Sequence, residues 1–422
     1  MARGEPSGAD QELIERLSAL GLTVSAAQLE RWRGAGLLPG HARRWLGRGR
    51  GSVSVLEEAV VDVAAALARH ARQGRDLRWT VLAWYAEAGR PLVPGAGVVP
   101  EPPWPAVREA VLWAMAHSRA HRVLAQARTA AGAAGEEDRD AGRDAFYAEA
   151  ERAFAHGPAG TPDPAAVRRL LEGEAETAVV RGEDAVRRRA AVHLAAAAGM
   201  GSGEVGGALF VETLAVLLPH LDWSASAGAA DQAEDEGTFD GWVSAAAVDP
   251  LALLAAAGEQ EMALARARAQ LLAGVGGLHL MYGLLMPDTP ALAALRTAIE
   301  STGLAVLLHQ LVPLLINPSG VPHALAACLT PQYEHLADHV GELLAEHAQH
   351  SLLTGPGSEH PTAQAYMETW LDRLRTAPIR RANAAPHDQE AAGDELGEQD
   401  APHGPQDGGA QHAAGPPAPP RG

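Results

Sequence analysis

Six arginines crowd into a window that holds no carboxylate. Arg31, Arg33, Arg43, Arg44, Arg48 and Arg50 all fall between Glu30 and Glu57. A guanidinium presents a rigid fork of N–H donors that matches phosphate oxygens two at a time. Unopposed, such a cluster makes a local positive field. The chain of 422 residues is nevertheless acidic, at net −18. The imbalance is regional: residues 1–90 carry 13 Arg against 10 Asp and Glu, and the rest carries 21 Arg against 42. A basic stripe at one end of an acidic chain is the electrostatic footprint of nucleic-acid contact. The competing reading is a solvated face, or one that meets a protein.

The elements that would position these groups are short helices. Leu13, Ile14, Leu17 and Leu20 recur at helical spacing over residues 10–20, with Asp10 as the expected N-cap and Gly21 as the stop. A second helix is expected over residues 25–35, capped by Ser25 and ended by Gly36. Two helices joined by a tight turn make a helix-turn-helix. With Leu29 and Trp32 facing the core, Ala27, Gln28, Glu30 and Arg31 fall on the outer half of the second helix. Gln28 suits adenine, Arg31 suits guanine or phosphate, and Glu30 opposes binding or reads a cytosine amino group. Arg33 completes the helix's share of the expected contact set. The next segment alternates Gly47, Gly49 and Gly51 with Arg48 and Arg50, a pattern for a β-hairpin whose Arg43, Arg44, Arg48 and Arg50 reach phosphates. Burial of Trp45 against a third helix is expected over packing on the sugar–phosphate. The third and fourth helices are expected over residues 56–73 and 77–88, the fourth capped by Asp76.

The Gly36-Leu37-Leu38-Pro39 step after a helix with Leu29 and Trp32 at its buried positions resembles the MerR-type winged helix-turn-helix family. Gly74 and Leu77 stand at that family's short turn between its last two helices. The resemblance covers about residues 10–90. It implies a DNA-binding unit that reads double-stranded DNA, in a bacterial transcriptional regulator. The sequence departs from the family pattern at Glu30, where an Arg is usual, and at Arg33, where a Glu is common. A segment at 91–105 with six prolines stands where the family's dimerising coiled coil would start.

The rest of the chain reads as mainly α. Apolar residues make up 47% and aromatics only 4%, and alanine and leucine, both strong helix formers, dominate. Expected domains are 1–90 (winged helix-turn-helix), 91–105 (stiff linker), 106–379 (all-helical effector or oligomerisation body) and 380–422 (a tail with too little to bury to be ordered). Helices are expected over 105–131, 144–155, 164–180, 183–198, 204–220, 249–286, 289–316, 330–351 and 362–374. The segments 249–286 and 289–316, rich in large aliphatic residues, are the candidates for joining two subunits in a homodimer. RNA polymerase and a small-molecule effector are further candidate partners. Cys328 is the lone cysteine and reads as a small buried apolar residue. His335 and His339 stand four apart, with Glu342 and Glu346 continuing the stripe; an exposed amphipathic face explains them better than a metal site. His279 and His309 on apolar segments read as core histidines. The glycine-rich stretch 199–207 lacks the Lys-Ser/Thr of a phosphate loop and reads as a helix connection. With no enzyme motif in view, the expectation is a non-enzymatic, cytoplasmic protein without cofactor or membrane span. The alternative is a helical adaptor whose head makes only nonspecific or architectural DNA contact.

Overall fold

Alanine-rich segments with leucine at every third or fourth place can bury only one helical stripe each, so the chain builds helix on helix. A computed structural model describes residues 6–48, 51–71, 76–90, 98–133, 139–154, 161–162, 179–180, 184–217, 238–285, 308, 311 and 317–347. The described part is mainly helical. Arg50, Gly74, and the expected helices 289–316 (but for Leu308 and Leu311) and 362–374 lie outside the described residues, as do most of 164–180 and the whole tail 380–422.

The first four helices are α1 (Gly8–Ala19), α2 (Ala26–Gly34), α3 (Glu58–His70) and α4 (Leu77–Glu87). A two-stranded antiparallel hairpin, β1 (Ala42–Trp45) and β2 (Ser52–Val55), stands between α2 and α3. Both α1 and α2 stop at a glycine with positive φ, Gly21 at 75° and Gly36 at 69°. After each, the next amide reaches back five residues: Leu22 to the Leu17 carbonyl and Leu37 to the Trp32 carbonyl, both at 2.9 Å. This is the Schellman closure, which only glycine allows without strain. At Gly36 it also turns Leu37 and Leu38 into the core. The expected cap of α1 is corrected: Ser7, not Asp10, is the N-cap, and its hydroxyl accepts from the Asp10 amide at 3.2 Å. Asp10 sits one turn inside, free to turn its carboxylate toward α2.

Among the described residues, ten more helices follow. They are α5 (Trp104–Ala116), α6 (Arg119–Ala133), α7 (Arg139–Phe154), α8 (Asp184–Met200), α9 (Gly207–Leu217), α10 (Thr238–Ala246), α11 (Pro250–Ala256), α12 (Glu259–Leu285), α13 (Val321–Cys328) and α14 (Pro331–His347). A two-residue pairing of Thr161–Pro162 with Val179–Val180 forms a second sheet among the described residues. The expected helix 105–131 is two helices, because α5 ends on His117 and α6 restarts after Ser118. The expected 249–286 also divides, at Ala257 and Gly258; Asp249 caps the shorter piece and Pro250 opens it. Helices α10 and α13 were not legible in the sequence, being short and bounded by weak signals.

The core does not stop where the sequence places a linker. One cluster runs from Leu13, Leu29 and Trp32 through Trp84 and Met115 to Met262, Leu272, Leu325 and Leu336. Helix α5 carries this continuity, since it packs on α4, α11 and α13. Met262, Ala265, Ala269 and Leu272, on a segment expected to join two subunits, are buried within the chain. A second cluster is built from α6 to α10, with Phe146, Ala196 and Val205 at its centre. Arg128 fastens it, donating to the Ala198 and Ala247 carbonyls at 3.0 and 3.1 Å. Gly199 lies against the Phe146 ring with no room for a Cβ, so this glycine of the 199–207 stretch is a packing residue. Cys328 is buried, and burial pushes its thiol up to about 12. His335, His339 and Glu342 are exposed opposite the buried Leu336, Val340 and Leu344. Among the described residues no helix is long and apolar enough to cross a membrane, and no group of three or more His, Cys, Asp or Glu could hold a metal ion.

Candidate nucleic-acid interface

Helix α2 is short but firmly started. Ser25 and Gln28 form a capping box: the Ser25 hydroxyl accepts from the Gln28 amide, and Gln28 Oε1 accepts from the Ser25 amide at 2.8 Å. Leu29 and Trp32 are buried. Ala27, Glu30, Arg31 and Gly34 are all exposed, at spacings of three and four, so they form one outward stripe. Two of its four members have no bulk, which lets another surface approach the helix closely. Gln28 is half-buried beside the stripe. A two-point pairing with adenine needs the same Oε1 that closes the capping box, so the two uses compete.

The hairpin is the more distinctive element. Its register pairs Arg43 with Ser54 and Trp45 with Ser52, and, on the other face, Arg44 with Val53 and Ala42 with Val55. Each face therefore carries an arginine. Arg43, Arg44 and Arg48 are exposed. Trp45 is 68% exposed, which corrects the expectation that it packs against the third helix. The large exposed apolar residues among those described number eight, and Trp45, Leu46, Val53 and Val55 are four of them. An element of two four-residue strands thus concentrates both unpaired apolar surface and positive charge. A guanidinium beside an exposed indole can bond a phosphate while the ring lies on a sugar or base.

Arg33 belongs elsewhere. Its guanidinium lies 2.5 Å from Asp10 Oδ1 and 2.8 Å from His41 Nε2, and His41 Nε2 lies 2.9 Å from the same carboxylate oxygen. Asp10 of α1, Arg33 of α2 and His41 at the start of β1 form one knot that ties three elements together. Burial pushes the Asp10 carboxyl up, but hydrogen bonds from Arg33, Ser7 and His41 outweigh it and hold the group at about 2. Arg33 is therefore placed as a structural cation, not on the exposed stripe. The helical arc itself carries the signal: four residues after Leu29, Arg33 stands only about 40° from the buried direction. His41 and Asp10 had no such signal, because the knot joins positions 31 residues apart.

Arg31 is exposed and its charge reaches a carboxylate of α4. Asp76, the N-cap of α4, is held below the usual carboxylate range by hydrogen bonding from Arg78, with smaller help from the charge of Arg31. The outward stripe of α2 thus lies near the first turn of α4. Ala27, Arg31, Arg43, Arg44 and Arg48 share the exposed surface of α2 and the hairpin, Gln28 borders it, Arg33 is turned away, and Arg50 lies outside the described residues. Comparison with protein-family models, curated proteins and solved structures finds no match for this chain.

Proposed function

We propose that the chain is a DNA-binding transcriptional regulator of winged helix-turn-helix type. Helix α2 enters the major groove through its Ala27–Glu30–Arg31–Gly34 stripe. Arg43, Arg44 and Arg48 bond flanking phosphates, and Trp45 lies on the sugar–phosphate wall. The observation that carries this reading is the hairpin: three exposed arginines and an exposed tryptophan on an element that contributes little to the core. Among surfaces, a polyanion with flat bases and sugars answers both features at once. The remaining helices supply the regulatory part, and their acidic surface keeps DNA contact to the first quarter of the chain. One recognition helix covers only a half-site, so tight binding calls for two copies.

A second reading has its own support. Leu46, Val53 and Val55 are exposed on the same hairpin, and such a surface also suits a protein partner. Selection of duplexes from a random pool by the full-length protein, followed by binding at several salt concentrations, separates the two. A regulator enriches a sequence and loses affinity steeply with salt. An adaptor enriches none.

A further inference from the structure

Where the first turn of α4 meets α5, the surface opens into a groove of about 590 Å³. Its lining is Arg78 of α4 together with Trp104, Pro105, Arg108, Glu109, Leu112 and Trp113 of α5. That volume falls in the range of roughly 300–1,000 Å³ seen for small-molecule sites. The lining on α5 follows helical spacing: Trp104, Arg108 and Leu112 on one row, Pro105, Glu109 and Trp113 on the next. One helix face therefore supplies two indoles, a cation and an anion.

The aromatic wall is fixed in place. Trp113 meets Trp79 edge-on at 5.2 Å and stacks on His117 at 4.9 Å, while the Arg78 guanidinium covers its ring at 4.2 Å. The charges of the groove are not equivalent. Arg78 is already answered by Asp76, which accepts from its Nη2 at 2.8 Å and from its Nε at 3.1 Å. Among the described residues Arg108 reaches the Ala255 carbonyl alone, at a long 3.4 Å, and both Arg108 and Glu109 are exposed. The groove thus holds Arg108 and Glu109, adjacent in sequence, beside a preformed aromatic wall, with Glu109 also within the field of Arg78.

We propose that this groove binds a free aromatic amino acid as its zwitterion. The ring lies against Trp104 and meets only the edge of Trp113, the carboxylate pairs with Arg108, and the ammonium pairs with Glu109. A ligand with one charge leaves one anchor unanswered, and an aliphatic amino acid leaves the indoles bare.

The test is calorimetric titration of the full-length protein with four probes that share an indole. L-tryptophan carries both charges, tryptamine only the ammonium, indole-3-propionate only the carboxylate, and N-acetyl-L-tryptophanamide neither, as in a peptide. L-tryptophan should bind with 1:1 stoichiometry and saturate by about 1 mM, and each singly charged probe should be about tenfold weaker. Arg108→Gln should bring L-tryptophan down to the level of tryptamine and leave tryptamine unchanged. Glu109→Gln should bring it down to the level of indole-3-propionate and leave that probe unchanged. A merely structural role for either residue would weaken all probes alike. The proposal is overturned by an absence of saturable L-tryptophan binding at about 5 mM. Equal affinity for all four probes, or an Arg108→Gln effect as large on tryptamine as on L-tryptophan, overturns it equally.

Discussion

Gln270 on α12 donates through Nε2 to the carbonyl of Ala86 at 2.7 Å, and the same nitrogen lies 3.2 Å from the Ala88 carbonyl, across more than 180 residues of sequence. These carbonyls belong to the last turn of α4, whose own helix leaves them without a partner. One helical turn earlier on α12, Arg266 covers the Tyr85 ring at 4.5 Å and bonds Glu101 at 2.6 Å. The end of α4 is thus gripped from the far side of the chain. Because α4 also packs on α3, this grip joins α12 to the first four helices.

Replacing Gln270 by leucine keeps the volume but strands buried carbonyls. Such a loss costs about 1–3 kcal/mol. Denaturant unfolding should show that drop, with amide exchange accelerating first around residues 86–90. A variant as stable as the parent, with unchanged exchange there, would show that the grip contributes nothing.

The Asp10 knot gives a pH dependence with a definite sign. The folded carboxyl is held at about 2, below the ordinary value of 3.8. A depressed acid contributes stability that is present above its unfolded value and lost as pH falls through its folded value. The contribution is on the order of 2 kcal/mol near neutrality and fades between about pH 4 and pH 2. Asp10→Asn should remove it, so that parent and variant converge in stability at about pH 2. An unchanged gap down to that pH would rule out the knot as its source.

Trp32 and Trp45 should behave as opposites. Trp32 is 1% exposed, and truncating it to alanine should cost about 3–5 kcal/mol. Trp45→Ala should stay within about 0.5 kcal/mol of the parent while weakening duplex binding. Loss of several kcal/mol from Trp45→Ala would mean that the indole is packed in solution.

Much of the candidate site was legible. Ser25, Leu29, Trp32 and Gly36 follow local rules of capping, periodicity and closure, and each takes the place that these rules assign. For Arg33 the local charge density points outward, while its position on the helical arc points toward Asp10, where its guanidinium lies. Burial of Trp45 would need the third helix within reach, whereas the hairpin holds the indole out in solvent. The contacts of Gln270 and Arg266 had no sequence signal at all. They pair residues more than 160 positions apart, and only the folded chain brings these together.

The division of labour among the arginines is the central claim, and the salt dependence of duplex binding by the full-length protein tests it most directly. Each lost phosphate contact should flatten the slope of log affinity against log salt by about 0.9. The combined Arg43→Ala, Arg44→Ala and Arg48→Ala variant should therefore lose roughly 2–3 units of slope at unchanged stability. Arg33→Ala should keep the parent slope and lose stability instead. No saturable duplex binding, or a slope indifferent to the three hairpin arginines and sensitive to Arg33, would contradict the account.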